Sequence, residues 1–282
     1  TEISLNSLIK NKIVSSKLKI STKSILLSDL VAFTRMINNK TELVFLEHLI
    51  KKGYVIADIE VNFDDNGKIK KDYKINGLLK DGKINLLKNH SLEKVNFLFN
   101  VENEIINFQK INFLLNDINF FSNKIKITQN NNNYLFEGLI KNKISSLSIE
   151  ILKLINSKFK KIYFSSTNNF SFNLNNKFKL SNLVIDSEIK INEAQYDKSD
   201  ILQNILPEIN NIINLKSHKI KARYKKDNLF ISGSGRIQLD KKFDKIDYLI
   251  TNRGLGLNVV SNIALSELNL KNQKFIKNFF PK

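Results

Sequence analysis

Apolar and polar residues alternate with period two along most of this chain. In "VNFLFNV", Val95, Phe97, Phe99 and Val101 share one side, and Asn96, Leu98 and Asn100 share the other. The next stretches extend the apolar side through Ile111, Phe113, Leu115 and Phe120, and "KIKIT" adds Ile125 and Ile127. "FSFNL" sets Phe170, Phe172 and Leu174 against Ser171 and Asn173, and "EIKIN" sets Ile189 and Ile191 against Lys190 and Asn192. "LGLNV" repeats the pattern with Leu255, Leu257 and Val259. Alternation of this kind rests one side of a pleated strand on something apolar and turns the other to water.

The punctuation is that of hairpins. "DDNGK" at 64–68 and "KDGKI" at 80–84 carry Asn-Gly and Asp-Gly, the dipeptides of tight primed turns, and "NNNN" at 130–133 reads as a loop. The chain has only two prolines, so little blocks strand pairing. Turn signals every 8 to 12 residues or so predict roughly fourteen to eighteen strands. Helical spacing is confined to short stretches. Residues 28–37 and 41–52 read as helices, the second with Thr41 as N-cap and Gly53 closing it. A third spans 199–213, kinked at Pro207, and 146–155 fits either helix or strand. The expected fold is mainly β: over 1–282, a long antiparallel meander curled into one elongated groove, with a few short amphipathic helices. A single open sheet of so many strands must curl, close or split.

One phrase is written twice. "YKINGLLK" at 73–80 returns as "YLFEGLIK" at 134–141, with Gly77 and Gly138 in register. Glycine inside a strand marks a bend or the close approach of another backbone. "GSGR" at 233–236 and "GLG" at 254–256 read the same way, because a strand-like "RIQLD" follows where a phosphate cradle needs a helix.

Composition narrows the chemistry. With 42% hydrophobic residues the chain can build a core, and 20 Phe against 7 Tyr and no Trp suits a dry apolar surface. The absence of cysteine excludes disulfides, thiolate metal sites and a cysteine nucleophile. His48, His90 and His218 lie far apart, which argues against zinc. "NFDDNGKIKKDY" follows a calcium loop up to Gly67 but ends on Tyr73 where a bidentate Glu is required. No pair of carboxylates can be matched as acid and base, and no catalytic residue, metal or cofactor is expected.

The net charge of +18 leaves three readings open: the drift of a Lys-, Asn- and Ile-rich composition, an anionic lipid surface, or nucleic acid. Lys outnumbers Arg and the aromatics alternate away from Lys, so nucleic acid is not expected as a partner. No apolar run approaches the roughly 18 residues of a spanning helix. The chain opens on Thr, and it is expected to be a segment of a longer protein.

From about Leu46 to Lys141 the order is a short helix, the strand "GYVIADIEV", the phrase "GLLKDGKI", then "VNFLFN", "INFQKINFLLNDINFFSNKIKIT" and "YLFEGLIK". "FSSTNNFSFNLNNKFKLSNLVID" and "LFISGSGRIQLD" continue the style. This resembles the AsmA-like superfamily, in particular its YhdP-type and TamB-like members. The resemblance implies a non-catalytic periplasmic β-groove, held at the inner membrane by an anchor this chain lacks, that passes phospholipid toward the outer membrane. The lipid-facing candidates are then the alternating apolar residues named in the first paragraph between Val95 and Ile191. A basic nucleic-acid-binding β protein and a passive structural β module are the competing readings.

Overall fold

The computed structural model describes residues 2–10, 12–37, 47–68, 70, 72–85, 90–130, 133–177, 179–198, 209–253 and 256–264. The protein is mainly β. In chain order the strands are β1 (Glu2–Lys10), β2 (Lys12–Ser21), β3 (Ile25–Leu26), β4 (Ile50–Phe63), β5 (Lys74–Asn85), β6 (Ser91–Glu102), β7 (Ile105–Leu115) and β8 (Ile118–Asn130). They continue with β9 (Asn133–Ser146), β10 (Phe159–Asn175), β11 (Leu180–Asp197), β12 (Ile212–Lys225), β13 (Asn228–Gln238), β14 (Phe243–Arg253) and β15 (Gly256–Ala264). Each bonds to the next in one open antiparallel sheet of 15 strands, with β3 off the path on β4. Two helices are described, α1 (Leu27–Ile37) and α2 (Ile149–Ile155).

The meander is built on turns that the glycine signals only partly mark. Asn103–Glu104, Asn116–Asp117 and Lys226–Asp227 all have positive φ, from 48° to 63°, and each joins directly paired strand ends. These are two-residue turns of type I′, whose twist matches the flanking strands. None contains glycine, so they escaped the dipeptide reading. At 64–68 the turn is longer: Gly67 N–H donates to the Asp64 carbonyl, and the Asp64 carboxylate accepts from the Asn66 and Lys68 amides. Asp81–Gly82 makes no hairpin. It lies inside β5 as a bulge, with Asp81 at φ 52° and its amide donating to Asn96 Oδ1 at 3.0 Å.

Helix 28–37 forms as expected. Of the stretch 41–52, residues 41–46 lie outside the described residues. Residues 47–49 are helical, and Ile50 already opens β4, so Gly53 lies in a strand and closes no helix. Residues 199–208 also lie outside the description, while 209–211 are non-helical and Ile212 begins β12. The ambiguous 146–155 resolves to α2, whose N-cap Ser148 accepts from the Ile151 amide.

Contacts divide the chain into two compact units. The first comprises Thr1–Lys141 with Asn169–Val184, and the second Asn142–Asn168 with Ile185–Lys282. In the first unit the register slips in neighbouring strands, around Gly53 in β4, Asp81 in β5, Lys94 in β6 and Lys110 in β7. A run of bulges bends strands and increases their twist, as a curled sheet requires. The buried core there is Val55, Leu79, Val95, Ile111 and Phe113, with Leu27 and Leu30 at the start of α1 packed on it. The second unit has two smaller cores: Leu152 of α2 on Ile162 and Ala194, and Ile209 with Ile213, Ile237 and Leu239.

Candidate functional site

Strand register in the first unit builds three cross-strand rows on one face. The first holds Val55, Leu79 and Phe97. The second holds Ala57, Gly77, Phe99, Phe108 and Ile125, and the third Ile59, Ile75, Val101, Ile106 and Ile127. The rows differ in cover. Val55 and Leu79 are each 2% exposed, beneath α1. Every residue of the third row is half-buried. The most enclosed large side chains among the described residues are Val55, Leu79 and Leu152, each 2% exposed. In the first unit the deepest burial lies where Leu27 and Leu30 of α1 pack on the sheet.

The strand glycines carry the second row. A side chain at Gly77 would meet the Phe99 ring at 2.5 Å and the Ile56 carbonyl at 2.5 Å. At Gly138 it would meet Phe170 at 2.9 Å and Ile125 at 2.8 Å. Each glycine is therefore the bed of an aromatic ring from the neighbouring strand, a known way to rescue glycine in a sheet. The Gly77 pairing with Phe99 runs through regular ladder on both sides. The bend expected at Gly77 is absent, and what approaches closely is a ring as well as a backbone. The ring shelf continues with Phe136 stacked on Phe172 at 4.8 Å and Phe97 edge-on to Phe108 at 4.9 Å.

The candidates named from the sequence separate accordingly. Val95, Ile111 and Phe113 are core, and Leu115 and Phe120 pack against them, Phe120 stacked on Phe113 at 5.6 Å. Phe97, Phe99 and Ile125 also touch that cluster but extend along the less covered rows. Val101, Ile127, Phe170, Phe172 and Leu174 are half-buried. In the second unit Ile191 packs under α2, and Ile189 lines a shallow concavity. Leu255 lies outside the described residues, while Leu257 and Val259 are 65% and 60% exposed. Ile59, Ile75, Ile106, Phe108 and Phe136 complete the face. Their alternation in "IADIEVNF", "YKING" and "IINF" was the signal that could have named them.

The opposite face is not uniformly polar. Ile56, Leu78 and Leu98 form a row there, with Ile56 41% and Leu98 37% exposed. Four of its lysines are paired: Lys17 and Lys19 with Glu60, Lys74 with Glu102 at 2.8 Å, and Lys83 with Glu93 at 2.7 Å. The Lys17 hydrogen bond and charge hold the Glu60 carboxyl below its ordinary range, and Lys83 does the same to Glu93.

In the second unit the ring-on-glycine device returns with polar rings. Tyr248 lies over Gly233 and His218 over Gly235. The strand pair β13–β14 keeps its register throughout, and the bulge predicted near "GSGR" sits instead on β12, where Ser217 has φ 56°. His218 Nε2 bonds the Arg236 carbonyl at 3.1 Å, and Nδ1 lies 3.4 Å from Tyr248 Oη. Burial pushes the imidazole below its ordinary value near 6.5, partly opposed by the Arg236 carbonyl, and pushes the Tyr248 phenol up. A second polar knot joins Asn142, Ser166 and Asn168, with bonds of 2.6 and 2.8 Å to the Ser166 hydroxyl. These groups satisfy one another inside the fold, which accounts for their burial.

Among the described residues no group of three His, Cys, Asp or Glu is placed to hold a metal ion. No helix among them is long and apolar enough to cross a membrane. Comparison with family models, with characterised proteins and with solved structures finds no match. The arrangement offers apolar contact along half-covered rows of Phe, Ile and Val, closed at one end by a helix.

Proposed function

We propose that this chain is a lipid-binding segment of an AsmA-like envelope protein. Its apolar rows hold the acyl chains of phospholipid and conduct them between inner and outer membrane. In this reading it works in the periplasm, and an anchor outside this chain ties it to the inner membrane. The observation that carries the reading is the contrast between rows in the first unit: helix α1 seals Val55 and Leu79, while Val101, Ile106 and Ile127 remain partly open.

The energetics favour such a guest. Burying a methylene contributes about 0.8 kcal/mol, so a chain of about sixteen carbons gains on the order of 10 kcal/mol gross on leaving water. Rows that repeat the same residue types make successive positions along them similar in energy, which lets a chain slide. The Phe99 and Phe170 rings occupy the space that a side chain at Gly77 or Gly138 would take, so the second row presents rings to a guest at these positions.

A photoreactive benzoylphenylalanine at Val101 or Ile127, irradiated in cells, should form a phospholipid adduct detectable by mass spectrometry. The same group at Leu98, on the opposite face, serves as the reference. Adducts absent at Val101 and Ile127, or equal at Leu98, would overturn the proposal.

A further inference from the structure

A concavity of about 450 Å³ crosses β11, β12 and β13, lined by Glu188, Ile189 and Lys190, by Lys219 to Lys221 and by Ser232 to Ser234. Gly233 tells which face it opens on. Tyr248 is its cross-strand partner, and the Tyr248 ring fills the space into which a side chain at 233 would point. The apolar side of Gly233 is therefore occupied, and Tyr248 does not line the concavity. The opening is on the other side of the sheet. Glu188, Lys190, Lys219, Lys221, Ser232 and Ser234 project there, because residues two apart share a face.

Two features of this face point to one kind of partner. The first is an excess of positive charge, three lysines lining the concavity against the single carboxylate of Glu188. Nearby Lys160, Lys161 and Arg223 are held by Asp197, Glu193 and Asp186. Among the described residues Lys190, Lys219 and Lys221 form no ion pair, and the Ser232 and Ser234 hydroxyls between them make no hydrogen bond. The second is apolar side chain next to that charge. Register sets Leu249 opposite Ser232 and Val260 opposite Leu249, and Phe230 lies two residues from Ser232 on the same strand. Phe230 is 46%, Leu249 37% and Val260 49% exposed.

We infer that this face of the second unit docks on the surface of an anionic lipid bilayer: the lysines meet headgroup phosphates, and Phe230, Leu249 and Val260 enter the headgroup boundary. Cationic and apolar groups on one face match the charged headgroups and apolar boundary of a membrane interface. A free phosphate would make no use of the apolar three. Single-stranded nucleic acid needs successive aromatic platforms, and Phe230 is the one aromatic among these exposed apolar residues. The inference does not rest on the lipid-holding rows, which belong to the first unit.

Co-sedimentation of the full chain with phosphatidylcholine vesicles, with and without phosphatidylglycerol, tests it. Binding should require phosphatidylglycerol and weaken with added salt. Lys219→Gln with Lys221→Gln should reduce it about tenfold or more. Phe230→Ser with Leu249→Ser should reduce it by a comparable factor, and circular dichroism checks that both variants fold. Inorganic phosphate at matched ionic strength should leave vesicle binding unchanged. Equal binding by wild type and variants, full retention on phosphatidylcholine alone, displacement by inorganic phosphate, or tighter binding of single-stranded DNA by the same lysines would each overturn it. Adduct formation at Val101 should persist in the lysine variant, which keeps the two tests separate.

Discussion

In the first unit Phe99 lies over Gly77 and Phe170 over Gly138; in the second Tyr248 lies over Gly233 and His218 over Gly235. The backbone requirement is the same in both, a strand position without a side chain beside a ring that needs room. The ring's chemistry is not. Phenylalanine suits a row that continues as Phe108 and Ile125, where a hydroxyl would find no partner. Tyr248 and His218 stand close enough to serve each other, and the Arg236 carbonyl takes the remaining ring nitrogen. The repeated phrase of the sequence is therefore scaffold, a socket for a ring, and the socket does not choose which ring fills it.

The charged faces of both units mix paired and unpaired lysines. On the first unit's outer face Lys17, Lys19, Lys74 and Lys83 are paired with glutamates two strands or fewer away, whereas Lys124 and Lys126 form no ion pair among the described residues. Lys190, Lys219 and Lys221 of the second unit have no such partners.

The largest break in this comparison should come from filling a socket. Gly77→Val brings a side chain against the Ile56 carbonyl, which is backbone and cannot yield, as well as against Phe99. It should cost about 3 kcal/mol or more in guanidinium unfolding. Gly235→Ala meets only side chain within the nearest contacts, the His218 imidazole at 2.4 Å, which yields by shifting as a whole away from its hydrogen bonds, so the cost should be lower, about 2 kcal/mol. Equal costs would mean that the rigid carbonyl is not what defines the first socket.

Next in size is the contrast between rows. Leu79→Ala, in the sealed row, should cost about 3 kcal/mol by the same measurement. Ile127→Ala, in the open row, should cost about 1 kcal/mol, because part of its surface already faces water. A cost at Ile127 matching that at Leu79 would show the third row to be sealed.

The smallest effect should be that of pH on the second unit. His218 has a folded-state pKa below its unfolded value near 6.5, so the unfolded chain binds the proton more readily. Its contribution is fully present above about pH 6.5 and is lost as pH falls through that value toward the lower folded one. The unfolding midpoint should drop over this window in the wild type, and the His218→Gln variant should lose that part of the slope. An unchanged slope in the variant would remove His218 from the account.

Much of this architecture is legible residue by residue. Val101 and Ile127 fall on one face because Asn100 and Lys126 fall on the other, and period two leaves no choice. Three turns were not legible, since Asn103–Glu104, Asn116–Asp117 and Lys226–Asp227 reach positive φ without glycine. Asp81–Gly82 misled for the opposite reason. The dipeptide that favours a hairpin also favours a bulge, and only the strand paired against it decides between them.

Alternation along the chain determined the mainly β class and which residues of one strand share a side, because side-chain direction in a strand follows from residue parity. Which apolar residues are sealed and which stay open was decided by the tertiary structure. Cover depends on where a short helix comes to rest, as α1 does over Leu79 and α2 over Ile162. The pairing or isolation of each lysine was decided there too, since ion pairs join side chains that only strand register brings within 4.0 Å.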